Sequence, residues 1–248
     1  MKRILLSAYT TLLILFSSLS LHAQTQPPKL SITHLTGDFY VYITYNLYNK
    51  QYVPSNSMYL VTSKGVVMFD TPWDSTQNQP LLDSIQQRHH QPVVMSISTH
   101  FHEDRTGGIN FLKTKGIKTW SSQQTYELCR QKGEPQAAYR FRQDTTFTVG
   151  NHHFKVFYPG AGHAPDNIVI WFDKEKVLYG GCFVKSTEAT TLGNLSDANP
   201  AAWTISMEKT IKAFPHPQYV IPGHDDWRNN QSPQHTLKLL QEHQHNKK

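Results

Sequence analysis

Six residues of metal-binding type stand just past predicted β-strands, so the fold must gather the ends of distant strands at one edge. An apolar strand predicted at residues 93–98 leads into the first three, and glycine-bearing turns precede the other three. Because functional residues concentrate on the loops that connect such elements, we expect one polar site. The six residues are His100, His102, Asp104, His163, Cys182 and His224.

The residue types divide into two sets of zinc ligands. Three neutral imidazoles match a catalytic zinc site whose fourth position is open to water. The remaining three offer harder and softer donors, all of which zinc accepts. The first set contains His100, His102 and His163, and the second contains Asp104, Cys182 and His224.

Each motif also has a plainer interpretation. If strand geometry continues past residue 98, His100 and His102 project to the same side. In a chain with 14 histidines, such a pair can instead be a solvated turn. A cysteine like Cys182, in a Gly-Gly-Cys turn, is more often a small buried apolar residue. The metal site rests on all six residues together.

The order of predicted elements favours two sheets packed together. Strands are predicted at residues 30–36, 39–48 and 58–70, and residues 49–57 are interpreted as a hairpin loop. A second run of strands begins at residue 145, and helices are mixed with strands later in each half. The pattern predicts an α/β fold, a four-layer αβ/βα sandwich of two mixed sheets with helices on the outer faces.

The N-terminus has the pattern of a secretory signal peptide. Lys2 and Arg3 precede an apolar run rich in Ser and Thr, and the run ends in a small-residue site at Ala23. A membrane anchor is the alternative, although a stable span needs about 20 strongly apolar residues. We therefore expect residues 1–23 to be removed and residues 24–248 to form a single periplasmic catalytic domain.

The charge of the chain bears on nucleic-acid binding, and its two cysteines bear on whether a disulfide forms. The formal charge of +6 includes two positive charges in the signal segment, which leaves +6 − 2 = +4. No block of Lys and Arg forms a basic stripe, so no nucleic-acid partner is expected. A disulfide between Cys129 and Cys182 is the default for an exported pair, but a metal-bound Cys182 thiolate would exclude it.

Four segments of the sequence carry a specific resemblance: THFHEDRTGGI (99–109), VFYPGAGHAPDNIVIW (156–171), GGCFVK (180–185) and GNLSDAN (193–199). They resemble the metallo-β-lactamases of class B, subclass 1, and the resemblance extends from Leu30 to the last helix. Glyoxalase II-like thioesterases and subclass 3 enzymes have a histidine where this chain has Arg105, and subclass 2 enzymes have an asparagine where this chain has His100. This chain also has Ala164 where several relatives have threonine.

The resemblance implies a zinc hydrolase with two ions per chain. A zinc-bound hydroxide would open the amide ring of β-lactam antibiotics and so confer resistance. The partner would be a small β-lactam, with no membrane contact after signal cleavage, and we expect a monomer. Another hydrolase of the superfamily, acting on a thioester, lactone or phosphodiester, is an alternative. A non-catalytic periplasmic zinc-binding protein is another.

Further roles are expected for residues around the ligands. Asp104 would also orient the attacking hydroxide, Lys185 would pair with the substrate carboxylate, and Asn194 would donate to the oxyanion. Arg105 would lie beneath the second zinc, and Asp70 would accept a hydrogen bond near the ligands. Exposed side chains and ordinary turn residues are the alternatives.

A flap over the substrate is also implied by the resemblance. It would use Tyr48, Tyr52 and Val53, which flank the predicted loop at residues 49–57. These side chains could instead pack on their own sheet.

Overall fold

The computed structural model describes residues 28–142 and 144–246. The predicted signal peptide, residues 1–23, lies outside the described residues. The first sheet has seven strands in sequential order from β1 to β7. Its strands are β1 (Ser31–Thr36), β2 (Phe39–Tyr48), β3 (Gln51–Thr62), β4 (Gly65–Phe69), β5 (Val93–Ile97), β6 (Lys118–Ser122) and β7 (Tyr139–Phe141).

The second sheet has five strands in the order β12-β11-β10-β9-β8, and only the β11–β12 pair is parallel. Its strands are β8 (Thr145–Val149), β9 (His152–Phe157), β10 (Val169–Phe172), β11 (Val177–Gly181) and β12 (Tyr219–Pro222). The helices are α1 (Asn78–His89), α2 (Glu103–Thr106), α3 (Ile109–Thr114), α4 (Gln123–Lys132), α5 (Pro200–Ala213) and α6 (Ser232–His245). Within the described residues, none of these helices combines the length and the apolar character needed to cross a membrane.

Alternation along the strands produces the layers. In β4, Val67 and Phe69 point into the core between the sheets, whereas Val66 and Met68 pack on the outer face. Such alternation follows from the period of two in a strand. The outer face of the first sheet is covered by α1 and α3, through residues such as Leu81. Layers of this kind confirm the predicted α/β sandwich.

The second sheet repeats the arrangement. Ile170 belongs to the core between the sheets, and its neighbour Trp171 packs on the outer side with Trp203 of α5 and Leu240 of α6. Both faces of the strands β4, β10 and β11 are thus buried. Strands with both faces buried have continuous apolar runs, as the sequence of β10 does.

Local signals define several helix ends. Ser122 caps α4, where its Oγ accepts a hydrogen bond from the Thr125 amide at 2.9 Å, and Gly133 ends the helix with φ of 79°. Asn199 caps α5 in the same way, and Pro200 occupies the first turn. These residue types are favoured at such positions because they satisfy free backbone groups or adopt positive φ.

Two predictions about the first hairpins are wrong. The segment predicted as one strand at residues 58–70 is interrupted at Ser63 and Lys64, between β3 and β4. The predicted loop at residues 49–57 is almost entirely strand, because β2 and β3 pair up to Tyr48 and Gln51. Pro54 lies within β3, opposite Tyr45. Cross-strand pairing thus overrides the loop propensity of the polar residues, and only Asn49 and Lys50 form the turn.

Candidate metal centre and active site

The first two histidines lie in a turn and not in a strand. β5 ends at Ile97, and His100 and His102 follow in the bend before α2. Strand geometry therefore does not continue past residue 98, and the turn, not strand alternation, brings the two histidines together. His102 is the N-cap residue of α2, and Asp104 lies in its first turn. The spacing His-x-His-x-Asp suits a tight turn that enters a short helix.

Three imidazoles converge at this turn. His102 Nδ1 lies 3.1 Å from His100 Nε2 and 3.1 Å from His163 Nε2. A zinc–nitrogen bond of about 2.0–2.1 Å in a tetrahedral site puts neighbouring ligand nitrogens about 3.3 Å apart. The three nitrogens therefore fit one zinc ion. Burial lowers the pKa of His100 and of His163 well below the ordinary value, which keeps their lone pairs available.

A second cluster adjoins the first. Asp104 Oδ2 lies 3.2 Å from Cys182 Sγ and 3.3 Å from His224 Nε2, and the sulfur is 3.3 Å from that same nitrogen. Asp104 Oδ1 is 3.9 Å from His100 Nε2, so this carboxylate faces both clusters. A carboxylate, a thiol and an imidazole at these separations fit a second zinc ion.

The titration of His224 reflects its neighbours. Burial disfavours the imidazolium, but the interactions with Cys182 and with the Asp104 carboxylate outweigh burial and raise the pKa of His224 to about 9. His224 Nδ1 faces the carbonyl oxygen of Pro54 at 2.6 Å. An imidazole that donates from Nδ1 to a carbonyl keeps Nε2 oriented toward the cluster.

Close backbone approach brings Cys182 and His224 together. A Cβ atom added to Gly223 would lie 2.7 Å from Cys182 Sγ and 2.6 Å from Cys182 N, so only glycine fits between these strand ends. Cys182 and Cys129 are both buried free thiols. The disulfide alternative is therefore not present.

Arg105 lies beneath the second cluster and is fully buried. Its Nη2 is 3.0 Å from Cys182 Sγ and 3.0 Å from Asp104 Oδ2, and it donates to the Gly223 carbonyl at 2.9 Å. Its Nη1 donates to the Asn56 carbonyl at 2.8 Å. The guanidinium thus joins three chain segments and offsets the negative charge of the Asp104 carboxylate beside the Cys182 sulfur.

Asp70 supports the turn that carries His100. Its Oδ1 accepts from the Thr99 amide at 2.6 Å, and its Oδ2 accepts from Thr99 Oγ1 at 2.9 Å and from Tyr179 at 2.6 Å. Asp70 has φ of 66°, a conformation that aspartate tolerates better than most residues. Burial raises the pKa of Asp70 to about 6, against the lowering effects of Arg105 and these hydrogen bonds.

A cavity of about 690 Å³ opens over both clusters. Lys185 and Asn194 line it, as do Tyr48 and Val53 from the first hairpin, whereas Tyr52 is not among its lining residues. Tyr48 packs against Trp73, with 6.2 Å between ring centroids. The cavity has an apolar wall from the hairpin and a cationic group from Lys185.

Lys185 and Asn194 belong to neighbouring parts of this cavity. The Lys185 ammonium lies 5.4 Å from the centre of the Trp203 ring, and burial lowers its pKa. Asn194 is exposed, and its Oδ1 accepts from the Ser196 amide at 2.9 Å. The amide nitrogen of its side chain is the group that can donate to a ligand.

Sequence reasoning missed two residues beside the histidines. Asp197 Oδ2 lies 3.2 Å from His102 Nε2, and Asp197 Oδ1 lies 3.1 Å from Lys132 Nζ. Asp197 falls within the segment 193–199, so its carboxylate in a glycine-bearing loop was the available signal. Lys132 carries no signal, because it is one basic residue in the last turn of a helix.

Comparison with known proteins identifies the class. Residues 52–224 match the family model of the metallo-beta-lactamase superfamily. This match covers more than half of the chain, and the fold and donor clusters agree with it. The chain belongs to the metallo-β-lactamase superfamily.

Named relatives narrow the comparison. The chain is 43% identical over 223 residues to metallo-beta-lactamase type 2 of Elizabethkingia meningoseptica, covering 90% of both chains. It is 39% identical to metallo-beta-lactamase IND-1 of Chryseobacterium indologenes, covering 83% of this chain and 86% of that one. Among solved structures, the fold is similar to the crystal structure of metallo-beta-lactamase IND-7, with a TM-score of 0.84. The two sequences are 38% identical, and the match covers 87% of this chain and 100% of that one.

Proposed function

We propose that this chain is a zinc-dependent β-lactamase that binds two zinc ions and opens the amide bond of β-lactam antibiotics, so conferring resistance. One observation carries the proposal: six donor side chains converge in two adjoining clusters at the floor of a cavity lined by Lys185. Relatives that are 39–43% identical over most of the chain carry the name metallo-β-lactamase, which supports the same activity here. The donor set is that of subclass 1.

The protein's own residues prepare the site for metal. Zinc, when bound, would act as a Lewis acid and lower the pKa of a coordinated water to about 7. His100, His102 and His163 direct imidazole nitrogens toward one point, and Asp104, Cys182 and His224 form the second donor cluster. Arg105 compensates the negative charge of the second donor cluster through its contact with Asp104. Asp70 fixes the turn that carries His100 through its hydrogen bonds from Thr99.

Substrate orientation falls to residues of the cavity wall. The Lys185 ammonium would pair with the carboxylate that β-lactam antibiotics carry near the scissile amide. The amide of Asn194 would donate to the carbonyl oxygen as negative charge develops there. Asp104 Oδ1 would accept a hydrogen bond from the attacking water, whose oxygen bonds to the carbonyl carbon. The carbon–nitrogen bond would then break with its electron pair left on the nitrogen, and a proton of the attacking water would pass to that nitrogen.

Export and quaternary state complete the proposal. Residues 1–23 would be a signal peptide, and residues 24–248 would be a periplasmic monomer. Two free thiols suit this assignment, because a zinc-bound thiolate is protected from disulfide formation.

The decisive experiment is hydrolysis of a chromogenic cephalosporin by purified residues 24–248. We expect turnover that chelator abolishes and added zinc restores. Hydrolysis of a thioester or lactone with no cephalosporin turnover would favour another hydrolase of the superfamily. Zinc binding without any hydrolysis would favour a zinc-binding protein.

A further inference from the structure

A charged bridge connects helix α4 to one of the three converging histidines. Lys132 lies in the last turn of α4, and its Nζ contacts Asp197 Oδ1 at 3.1 Å. The other oxygen of Asp197 contacts His102 Nε2 at 3.2 Å. One carboxylate therefore has each of its oxygens held by a different partner.

The contact with Asp197 determines which ring nitrogen of His102 carries the proton and which keeps its lone pair. A carboxylate accepts hydrogen bonds, so the proton of the neutral ring lies on Nε2. Nδ1 then presents its lone pair toward His100 and His163, each 3.1 Å away. Outer partners of this kind orient a ligating imidazole and raise its basicity.

The same carboxylate sits in the middle of the loop that carries Asn194. At its far end this loop is fixed by the Asn199 amide, which donates to the Gly162 carbonyl at 2.9 Å. Between Asn194 and Asn199, the side chain of Asp197 contacts both α4 and the His102 turn. Lys132 belongs to α4, between two strands of the first sheet, whereas Asp197 follows β11 of the second sheet, so the bridge links the two sheet-forming parts of the chain across the site.

The Lys132 side chain also lies over Phe101, the residue between His100 and His102. Its Nζ lies 5.8 Å from the centre of the Phe101 ring, and that ring is 4.4 Å from the His102 ring. About half of the Lys132 side chain and a quarter of Asp197 are exposed. A pair this exposed contributes little to global stability, so its effect should be local.

We propose that Lys132 is a positioning residue that acts through Asp197, orienting His102 and restraining the loop of Asn194. The inference rests on the proposed function only in treating His102 as a metal ligand. Its two readouts, hydrogen exchange of the loop and zinc affinity, need no β-lactam.

The test variant is Lys132→Met, which keeps most of the methylene stem and removes the charge. The matched control is Lys176→Met, because Lys176 also pairs with an aspartate, Asp173 at 2.9 Å, and lies over an aromatic ring, Trp171 at 5.6 Å. Lys176 precedes β11, at the end of that strand opposite Cys182. Lys132→Arg should rescue, because it retains the charge.

Hydrogen exchange of the metal-free protein tests the loop. In Lys132→Met we expect the amides of residues 194–198 to exchange at least about threefold faster than in the wild type. Lys176→Met and Lys132→Arg should leave these rates unchanged. Unchanged exchange in Lys132→Met would overturn the proposal.

Competition with a chromophoric chelator tests His102. Removing a direct outer partner of a ligand typically costs 10–100-fold in metal affinity, and we expect a loss in that range for Asp197→Ala. Lys132 acts one step further out, so Lys132→Met should lose about 3–10-fold at one site. In a protein that already carries Asp197→Asn, adding Lys132→Met should not lower the zinc affinity further. If Lys132→Met binds zinc as tightly as Lys176→Met, the proposal that Lys132 orients His102 is overturned. This outcome does not depend on which substrate the protein hydrolyses.

Discussion

At the residue scale, the site depends on charges held in a buried environment. Arg105 is fully buried and yet contacts two negative groups, Asp104 and the Cys182 sulfur, each at 3.0 Å. Removing one partner of such a cluster leaves a buried charge uncompensated. Substitutions in this part of the molecule therefore affect metal binding and folding together, whereas Lys185 at the cavity wall can be tested by itself.

Lys185→Ala should impair substrate binding and leave the metal in place. A hydrogen bond to a charged group is worth about 1.5–3 kcal/mol, so kcat/KM should fall by roughly one to two powers of ten. If the contact holds substrate and transition state equally, the loss appears in KM. Steady-state kinetics with several β-lactams, beside metal analysis, measures this.

Two controls sharpen the Lys185 experiment. Lys185→Arg should lose less, because it retains the charge but changes the geometry. Lys209→Ala removes a lysine that lies over the Phe157 ring of the C-terminal half and should behave as wild type. Unchanged kinetics in Lys185→Ala would mean that the carboxylate partner lies elsewhere.

Asp166 is a buried carboxylate whose ionisation should oppose folding. It is fully buried, and neither of its oxygens forms a hydrogen bond within the part of the chain that the structure describes. Burial raises the pKa of Asp166 from 3.8 to about 7, although Thr125 and the Phe101 amide lower it in part. Because the folded pKa exceeds the unfolded one, the destabilisation is absent below pH 4 and complete above pH 7.

Asp166→Asn should remove this pH dependence. Relative to the variant, the wild type should lose up to about 4 kcal/mol of unfolding free energy between pH 4 and pH 7. Urea unfolding of both metal-free proteins across this range measures the difference, in which the titration of the histidines cancels. A difference that is constant with pH would contradict the prediction.

At the element scale, the first hairpin is long, regular and partly exposed. β2 and β3 pair without interruption, and Leu47 and Tyr48 at its end are each more than half exposed. Its two-residue turn places Asn49 at φ of 48° and Lys50 at φ of 65°. Hairpin turns with two positive φ values favour Asn-Gly, because glycine has no Cβ to strain.

Lys50→Gly should therefore stabilise the hairpin. A non-glycine residue in this conformation costs about 1–2 kcal/mol, and the added flexibility of glycine offsets part of that. We expect an increase of about 0.5–1 kcal/mol in the unfolding free energy, measured by urea denaturation. Lys64→Gly, in the turn before β4, is the control. A loss of stability in Lys50→Gly would show that the lysine side chain stabilises the turn.

At the scale of the whole molecule, metal and fold should be coupled. Both donor clusters combine residues from the segment after β5 with residues that follow strands of the second sheet, so bound metal links the two sheet-forming parts of the chain. Ligand that binds only the folded state stabilises it by about 4 kcal/mol at one thousand times its dissociation constant.

Zinc analysis and thermal unfolding test this coupling. Dialysis against micromolar zinc should give about two equivalents per chain, one for each donor cluster. Chelation should lower Tm by roughly 8–16 °C, at about 2–4 °C per kcal/mol for a domain of this size. A plateau at one equivalent would leave only the three-histidine site, and a plateau at zero would contradict the proposed function.

Local signals in the sequence specified the layers, several helix ends and the donor set. Most strands were readable as short apolar runs, but the two faces of β4 and β10 were not, because both strands are apolar throughout. Capping by Ser122 and Asn199 is equally local. The donor residues were recognisable because each follows a strand, and the resemblance assigned them to two ions.

The tertiary structure decided what depends on the path of the chain. The hairpin of β2 and β3 replaced a predicted loop, because ten pairs across the strands outweigh the preferences of single residues. Asp197 reaches His102 and Lys132 across 95 and 65 residues of chain, and Arg105 meets Gly223 across 118. Such contacts follow from the packing of two sheets, which no local pattern of residue types encodes.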